Sequence, residues 1–290
     1  MPQVSSQALQ VQVNLVNVPV TVTDGDGSPV AGLVREDFTL NEDGHPESIR
    51  LFQANATRPL SIVFAIDTSV SVRKDLPLAR QAAYDFASSL LHPGDKLELV
   101  GFAGDVTDLV PFTGNLRSLD HGLRRLHGEG PTALYAAVAR AANDLQSLPG
   151  RKVIVVISDG SNSVAGVDYQ QARTAALRAQ ASLESIILVP IDANAGRDLG
   201  GEHAMIQLSQ DTGDEFFYAD DPNQLQDAMA RLSLALRSEY LLGYYPASPE
   251  AGKGSEPRGF RHIQLRMTRP DLNRTYRLIY RTGYTTQTAH

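Results

Sequence analysis

Between residues 60 and 238 the chain alternates short apolar runs with stretches of helical periodicity, and few architectures accept that alternation. The runs are Ser61–Asp67, Lys96–Phe102, Val153–Ser158 and Ser185–Asp192. Three of the four are almost unbroken Ile, Val and Leu, the pattern of strands covered on both faces. Between them lie helical stripes. Leu76, Ala79, Ala83, Phe86 and Leu90 form one, and Leu116, Leu119, Leu123 and Leu126 a second. Leu134, Val138, Ala141, Leu145 and Leu148 form a third, and Ala172, Ala176, Ala179 and Leu183 a fourth. A last helix carries Leu225, Met229, Leu232 and Leu236, opened by Asp221 as cap and Pro222 as first helical residue. Strands alternating with helices of this length predict an α/β fold: a Rossmann-like, doubly wound, mostly parallel sheet with helices on both faces.

The flanks read differently. Val11, Val13 and Leu15 alternate, as do Val16, Val18, Val20 and Val22, with Pro19 marking an edge strand or bulge. Asp24-Gly25-Asp26-Gly27 is a turn of the kind that closes hairpins. Its two carboxylates resemble the start of a calcium loop, but the bidentate Glu that such a loop needs is missing. Beyond Tyr240, alternation returns at Tyr240, Leu242 and Tyr244, at Ile263, Leu265 and Met267, and at Tyr276, Leu278 and Tyr280. The segment 247–259, rich in Pro, Gly, Ser and Glu, reads as a loop. Neither flank can bury two faces alone. The expected division is an N-terminal β segment over 1–56, the α/β domain over 57–239, and a C-terminal β segment over 240–290. The two β segments are expected to pair into one β-sandwich-like module.

Composition narrows the function. The 290 residues hold 26 Lys plus Arg against 33 Asp plus Glu, a formal charge of −7, which argues against a nucleic-acid partner. With no cysteine, thiol catalysis, disulfides, iron–sulfur clusters and zinc–thiolate sites are excluded. The longest apolar runs fall far short of a membrane span. The start, Met1-Pro2-Gln3-Val4-Ser5-Ser6, has neither a charged nor an apolar leader region, so no signal peptide is read in this chain. That start is compatible with an intact cytosolic terminus and with one from which a leader was removed.

In an open parallel sheet, ligands bind beyond the carboxyl ends of the strands. Asp67-Thr68-Ser69-Val70-Ser71 follows the first strand, and Ser158-Asp159-Gly160 follows the third. Gly128-Glu129-Gly130-Pro131-Thr132 leads into the helix at Leu134. Two carboxylates (Asp67, Asp159) and three hydroxyls (Ser69, Ser71, Thr132) can converge there. This donor set is all hard oxygen, suited to Mg²⁺ first, and to Mn²⁺ or Ca²⁺. Two carboxylates nearly neutralise a divalent cation, and a carboxylate from another molecule is a natural sixth donor.

Asp67-x-Ser69-x-Ser71, Thr132 and Asp159, in this strand–helix order, resemble the metal-ion-dependent adhesion site of von Willebrand factor type A domains. The resemblance covers roughly residues 60–238. Further, "VPVTVTDGDGSPVAGLVREDFTLNEDG" and "SEYLLGYYP" on either side are similar to von Willebrand factor A-related proteins known from acidobacteria. The resemblance implies that Ser69, Ser71 and Thr132 are hydroxyl ligands and that Asp67 and Asp159 bind directly or through water. It implies a non-enzymatic module that grips an acidic side chain of a protein partner, outside the cytoplasm. One departure is Gly130-Pro131-Thr132, where a Gly-Gly-Thr or Gly-Thr turn is usual; proline predicts a stiffer threonine loop.

Other readings stay open. Ser and Thr after strands are often helix caps, and Asp159-Gly160 suits a turn. An aspartate after the first strand is also the nucleophile position of haloacid-dehalogenase-type phosphatases, but their general acid two residues later is Ser69 here. A metal-free scaffold is the third reading. Asp192 reads as a turn or cap residue at the ligand edge, with a supporting role behind the metal as the other reading. Asp105 and Asp108 read as solvated loop charges. The histidines (45, 92, 121, 127, 203, 262, 290) show no HxxxH pair, and His127 with Glu129 could rim the binding face or be plain surface.

Overall fold

The computed structural model describes residues 15–54, 58–128, 130–189, 198–246, 260–269 and 271–285. In chain order, β1 (Val16–Thr23), β2 (Phe38–Glu42), β3 (His45–Glu47) and β4 (Ile49–Gln53) come first. The middle runs β5 (Leu60–Asp67), α1 (Leu76–Leu90), β6 (Lys96–Phe102), β7 (Val106–Thr113), α2 (Leu116–Arg124), α3 (Leu134–Leu145) and β8 (Arg151–Ser158). It continues with α4 (Tyr169–Ala179), β9 (Ala181–Leu188), α5 (Leu199–Thr212), β10 (Phe216–Ala219) and α6 (Pro222–Arg237). The chain then forms β11 (Tyr240–Tyr244), β12 (Phe260–Met267), α7 (Leu272–Thr275), β13 (Arg277–Tyr280) and β14 (Gly283–Thr285). None of the described helices is long and apolar enough to cross a membrane.

The central sheet has the order β10-β9-β8-β5-β6-β7, parallel throughout except for β7 on β6. Its core follows from strand alternation. Ile62, Phe64 and Ile66 of β5, with Val153, Val155 and Ile157 of β8, pack against α1, α2 and α6. The residues between them, Val63, Ala65, Ile154 and Val156, pack against α3, α4 and α5. Burial on both faces explains why these strands carry unbroken aliphatic runs. Phe64 and Phe86 meet edge-on at 5.4 Å, fixing α1 over the sheet centre.

Two four-stranded sheets flank this unit, in the orders β13-β1-β11-β4 and β14-β12-β2-β3. Strands from both ends of the chain combine in each: β1 pairs antiparallel with β11 and β13, and β12 with β2. Val18, Val20 and Val22 share one core with Phe38, Leu40, Ile263 and Leu265, so the sheets face each other as a sandwich.

Several details differ from the sequence reading. β1 is an inner strand; Pro19 is tolerated because pairing with β13 begins only at Val20. Leu183 belongs to β9, since the left-handed Gln180 (φ 55°) ends α4 before it. The fourth apolar run starts at Ala181 and stops at Leu188; Asp192 lies outside the described residues, as do Val11, Val13, Glu129 and 247–259. Asp108 stands on strand β7, paired with Arg140 at 2.9 Å, and is not a loop charge. In the Asp24 turn, Asp24 Oδ1 accepts the N–H groups of Asp26 (3.0 Å) and Ser28 (2.8 Å), as a turn aspartate does.

Arg151, at the start of β8, joins the layers. It is 6% exposed, lies 3.3 Å from Glu239 and 3.6 Å from Asp214, and donates Nη1 to Leu236 O at 3.0 Å. Arg151→Ala leaves two buried carboxylates without their cation and is expected to cost about 3–5 kcal/mol in chemical denaturation. Arg124→Ala, which breaks an exposed i,i+4 pair with Asp120, is expected to leave the denaturation midpoint within error.

Candidate metal centre

In the sheet order, chain progression runs one way from β5 to β6 and the other way from β8 to β9 and β10. The reversal lies between β5 and β8, where an open sheet leaves a crevice at its carboxyl edge. The parallel register pairs Ile66 with Ile157, so Asp67 and Ser158 end their strands side by side.

Their side chains meet there. The Ser158 hydroxyl donates to Asp67 Oδ2 at 2.6 Å, and the Ser69 backbone N–H donates to Asp67 Oδ1 at 2.8 Å. The Ser69 and Ser71 hydroxyl oxygens are 3.0 Å apart. Asp67 and Ser69 are buried, whereas Ser71 faces solvent, so the cluster opens outward. Thr68, between them, points the other way and donates its hydroxyl to Phe102 O at 3.1 Å.

The other two residues arrive on loops tied to this one. The Gly130 carbonyl accepts the Val70 N–H at 3.5 Å, and Thr132 N–H donates to Ser163 Oγ at 2.9 Å. Thr132 O in turn accepts the N–H of Ser163 at 2.8 Å, which stitches the threonine loop to the one after β8. Gly130 has φ +104°, a conformation that only glycine adopts easily, so glycine ahead of Pro131 is a geometric requirement. Thr132 and Asp159 are both buried. Asp159 accepts the Ser161 N–H at 3.0 Å, a turn bond, and its charge also acts on Asp67. The turn reading and the site reading of Asp159 are therefore compatible.

Electrostatics mark Asp67. Burial pushes its carboxyl up to about 6, against the lowering effect of bonds from Ser158 and Ser69, and the neighbouring Asp159 charge pushes the same way. Two carboxylates so placed are costly without a counter-charge. Among the described residues no group of three His, Asp or Glu stands together as a metal cluster, so an ion held here would need hydroxyls for its remaining donors. His127 is exposed, with Nδ1 2.6 Å from Arg125 O.

Two contributors escaped the sequence reading. Ser158, completely buried, links Asp67 to the β8 loop, and its Oγ also accepts the Gly160 N–H at 3.1 Å. Helix α5 supports that loop from behind: a Cβ on Gly201 would lie 2.0 Å from Gly160 O. The Gly200-Gly201 pair was the available signal, since adjacent glycines at a helix start mark close backbone approach.

Comparison with known proteins bears on the fold that carries this edge. Residues 62–162 match the family model of the von Willebrand factor type A domain. No curated protein sequence matches the chain. Among solved structures, a von Willebrand factor type A protein from Catenulispora acidiphila is 15% identical with a TM-score of 0.55; the match covers 96% of this chain and 64% of that one. The D319A mutant of the PilB minor pilin from Streptococcus sanguinis is 14% identical, TM-score 0.51, over 63% of this chain and 62% of the pilin. The pilus adhesin SpaC from Lactobacillus rhamnosus GG is 10% identical, TM-score 0.50, over 76% of this chain and 34% of SpaC. This chain thus spans under two thirds of each of these neighbours, and likeness at such identities speaks for the fold. The match over 62–162 and the doubly wound sheet agree in making the central part of this chain similar to a von Willebrand factor type A domain.

Proposed function

We propose that the chain is a non-enzymatic, divalent-metal-dependent binding module for adhesion or assembly. The observation that carries this reading is the buried Asp67, held by Ser158 and Ser69 beside the Ser69/Ser71 hydroxyl pair at the sheet's switch point. Ser69, Ser71 and Thr132 would hold the ion through hydroxyl oxygens, and Asp67 and Asp159 would supply its counter-charge, directly or through water. Mg²⁺ fits best, with Mn²⁺ or Ca²⁺ as substitutes. A bound ion would supply one Lewis-acidic coordination position to a carboxylate on a protein partner. The chain's own part is to orient the donors, bury Asp67 and leave Ser71 at the open side. Loops around the ion would provide most of the interface, because a single coordination bond cannot make a specific complex.

The pilin and pilus-adhesin neighbours support a role in surface assembly, and with it an extracytoplasmic location. The phosphatase alternative fares worse on chemistry. It needs a general acid two residues after Asp67, where Ser69 stands with its hydroxyl against Ser71.

Mg²⁺ at a hundred times its dissociation constant is expected to stabilise the protein by about 2.7 kcal/mol, read as a rise in the thermal midpoint. Asp67→Asn and Ser71→Ala should each remove that rise; a rise of equal size in Asp67→Asn refutes the ligand assignment. Because the Asp67 carboxyl is raised in the folded state, the chelated protein carries its stabilising contribution below about pH 4 and loses it as pH climbs through about 6. The stability difference between wild type and Asp67→Asn in chelator should therefore move by about 2 kcal/mol across pH 4–6, with wild type the loser at the high end. Denaturation curves at matched ionic strength would show it.

A further inference from the structure

A second site lies at the opposite end of the central sheet, where the amino ends of β8 and β9 meet β1 and β13. A cavity of about 70 Å³ occupies that seam. Four cationic side chains line it, Arg58, Arg151, Lys152 and Arg281, against two carboxylates, Asp214 and Glu239. Arg151 lies within ion-pair distance of both, at 3.6 and 3.3 Å, and the Glu239 charge also acts on Arg58.

Among the described residues, the remaining cations have no carboxylate at salt-bridge distance. Arg281 is only 7% exposed; Nη2 donates to Asn17 O, the ring of Tyr284 lies 5.6 Å away, and Nε has no partner. Arg58 Nε is likewise buried without a partner. Lys152 Nζ donates to the Gln146 carbonyl at 2.8 Å. Ser182 Oγ, on the same wall, has no hydrogen-bond partner either. Burial lowers the affinity of Arg58, Lys152 and Arg281 for their protons, as expected of cations lacking counter-charge. The nearby Glu184 is buried against Asp214 and Arg151, and burial with the adjacent Asp214 raises its carboxyl well above the usual range.

Two positive charges thus stay uncompensated in a partly enclosed space. Water would fill the volume but would not neutralise it: at about 15 Å³ each, some five waters would fit. A tetrahedral oxyanion has five heavy atoms and brings the missing charge, and guanidinium groups with a hydroxyl are its usual partners. We propose that this seam binds one small divalent oxyanion, of the phosphate or sulfate type, between Arg58, Lys152, Arg281 and the Ser182 hydroxyl. Bound there, it would tie the N-terminal edge of the central sheet to β1 and β13, independently of the metal centre.

Inorganic phosphate, added to the full chain in chelator at constant ionic strength with chloride as control, is the probe. Phosphate should raise the thermal midpoint along a saturating curve and give saturable heat in titration calorimetry. Arg281→Gln should weaken the apparent Kd at least tenfold. Lys152→Gln and Arg58→Gln, at less buried positions, should do the same and cover the case in which Arg281→Gln fails to fold. Ser71→Ala should bind phosphate as wild type does, which separates this site from the metal reading. A rise that is linear in phosphate and equal in wild type and variants is a general salting effect, and with no saturable heat it overturns the proposal: the cavity then holds water only.

Discussion

The parallel pairing of β5 with β8 is the contact on which the rest of the molecule depends. It joins the two halves of the sheet at the point where chain direction reverses, and its register ends both strands at one level. That level brings Asp67 against Ser158, two residues far apart in the chain. A slip of one residue would turn Asp67 to the other face and exchange Ile62, Phe64 and Ile66 with Val63 and Ala65. Core packing on both faces forbids the slip, so hydrophobic burial holds the polar cluster in place.

The two ends of the central sheet solve opposite electrostatic problems. At the carboxyl edge, acidic groups crowd together and Asp67 resists ionisation. At the amino edge, Arg151 pairs with two buried carboxylates while Nε of Arg281 and of Arg58 has no hydrogen-bond partner. Each end therefore lacks a charge of the sign that the other has in excess. Lone buried charges are costly, and both edges are partly open, which suits them to small ions of opposite sign. The flanking sandwich supplies part of the amino-edge lining through Asn17 and Arg281, so it shapes the seam as well as covering the sheet.

Much of this was legible in the residues. Aliphatic runs announced β5, β6 and β8 because burial on both sides permits little else. The stripes of α1, α3 and α6 were equally plain, and the Asp221 cap accepts the N–H groups of Asn223 and Gln224 as its type predicts. Helix α5 was not legible. It buries Gly201, Glu202, Ser209 and Thr212 beside Met205 and Leu208, so no apolar stripe marks it. Strand β7 is a half-exposed edge containing Pro111, and β10 is four residues long. Such elements are held by their neighbours more than by their own pattern.

By itself, the sequence determined which residues offer hard-oxygen donors and at which strand or helix junctions they stand, because periodicity and side-chain type are local properties. Tertiary structure decided which of them share space. It set Ser158 against Asp67, turned Thr68 away toward Phe102, and laid the Thr132 loop on Ser163. It also placed Arg281 beside Asn17, from opposite ends of the chain. Charge balance in a buried seam depends on distances across the fold, and one-dimensional spacing does not encode them.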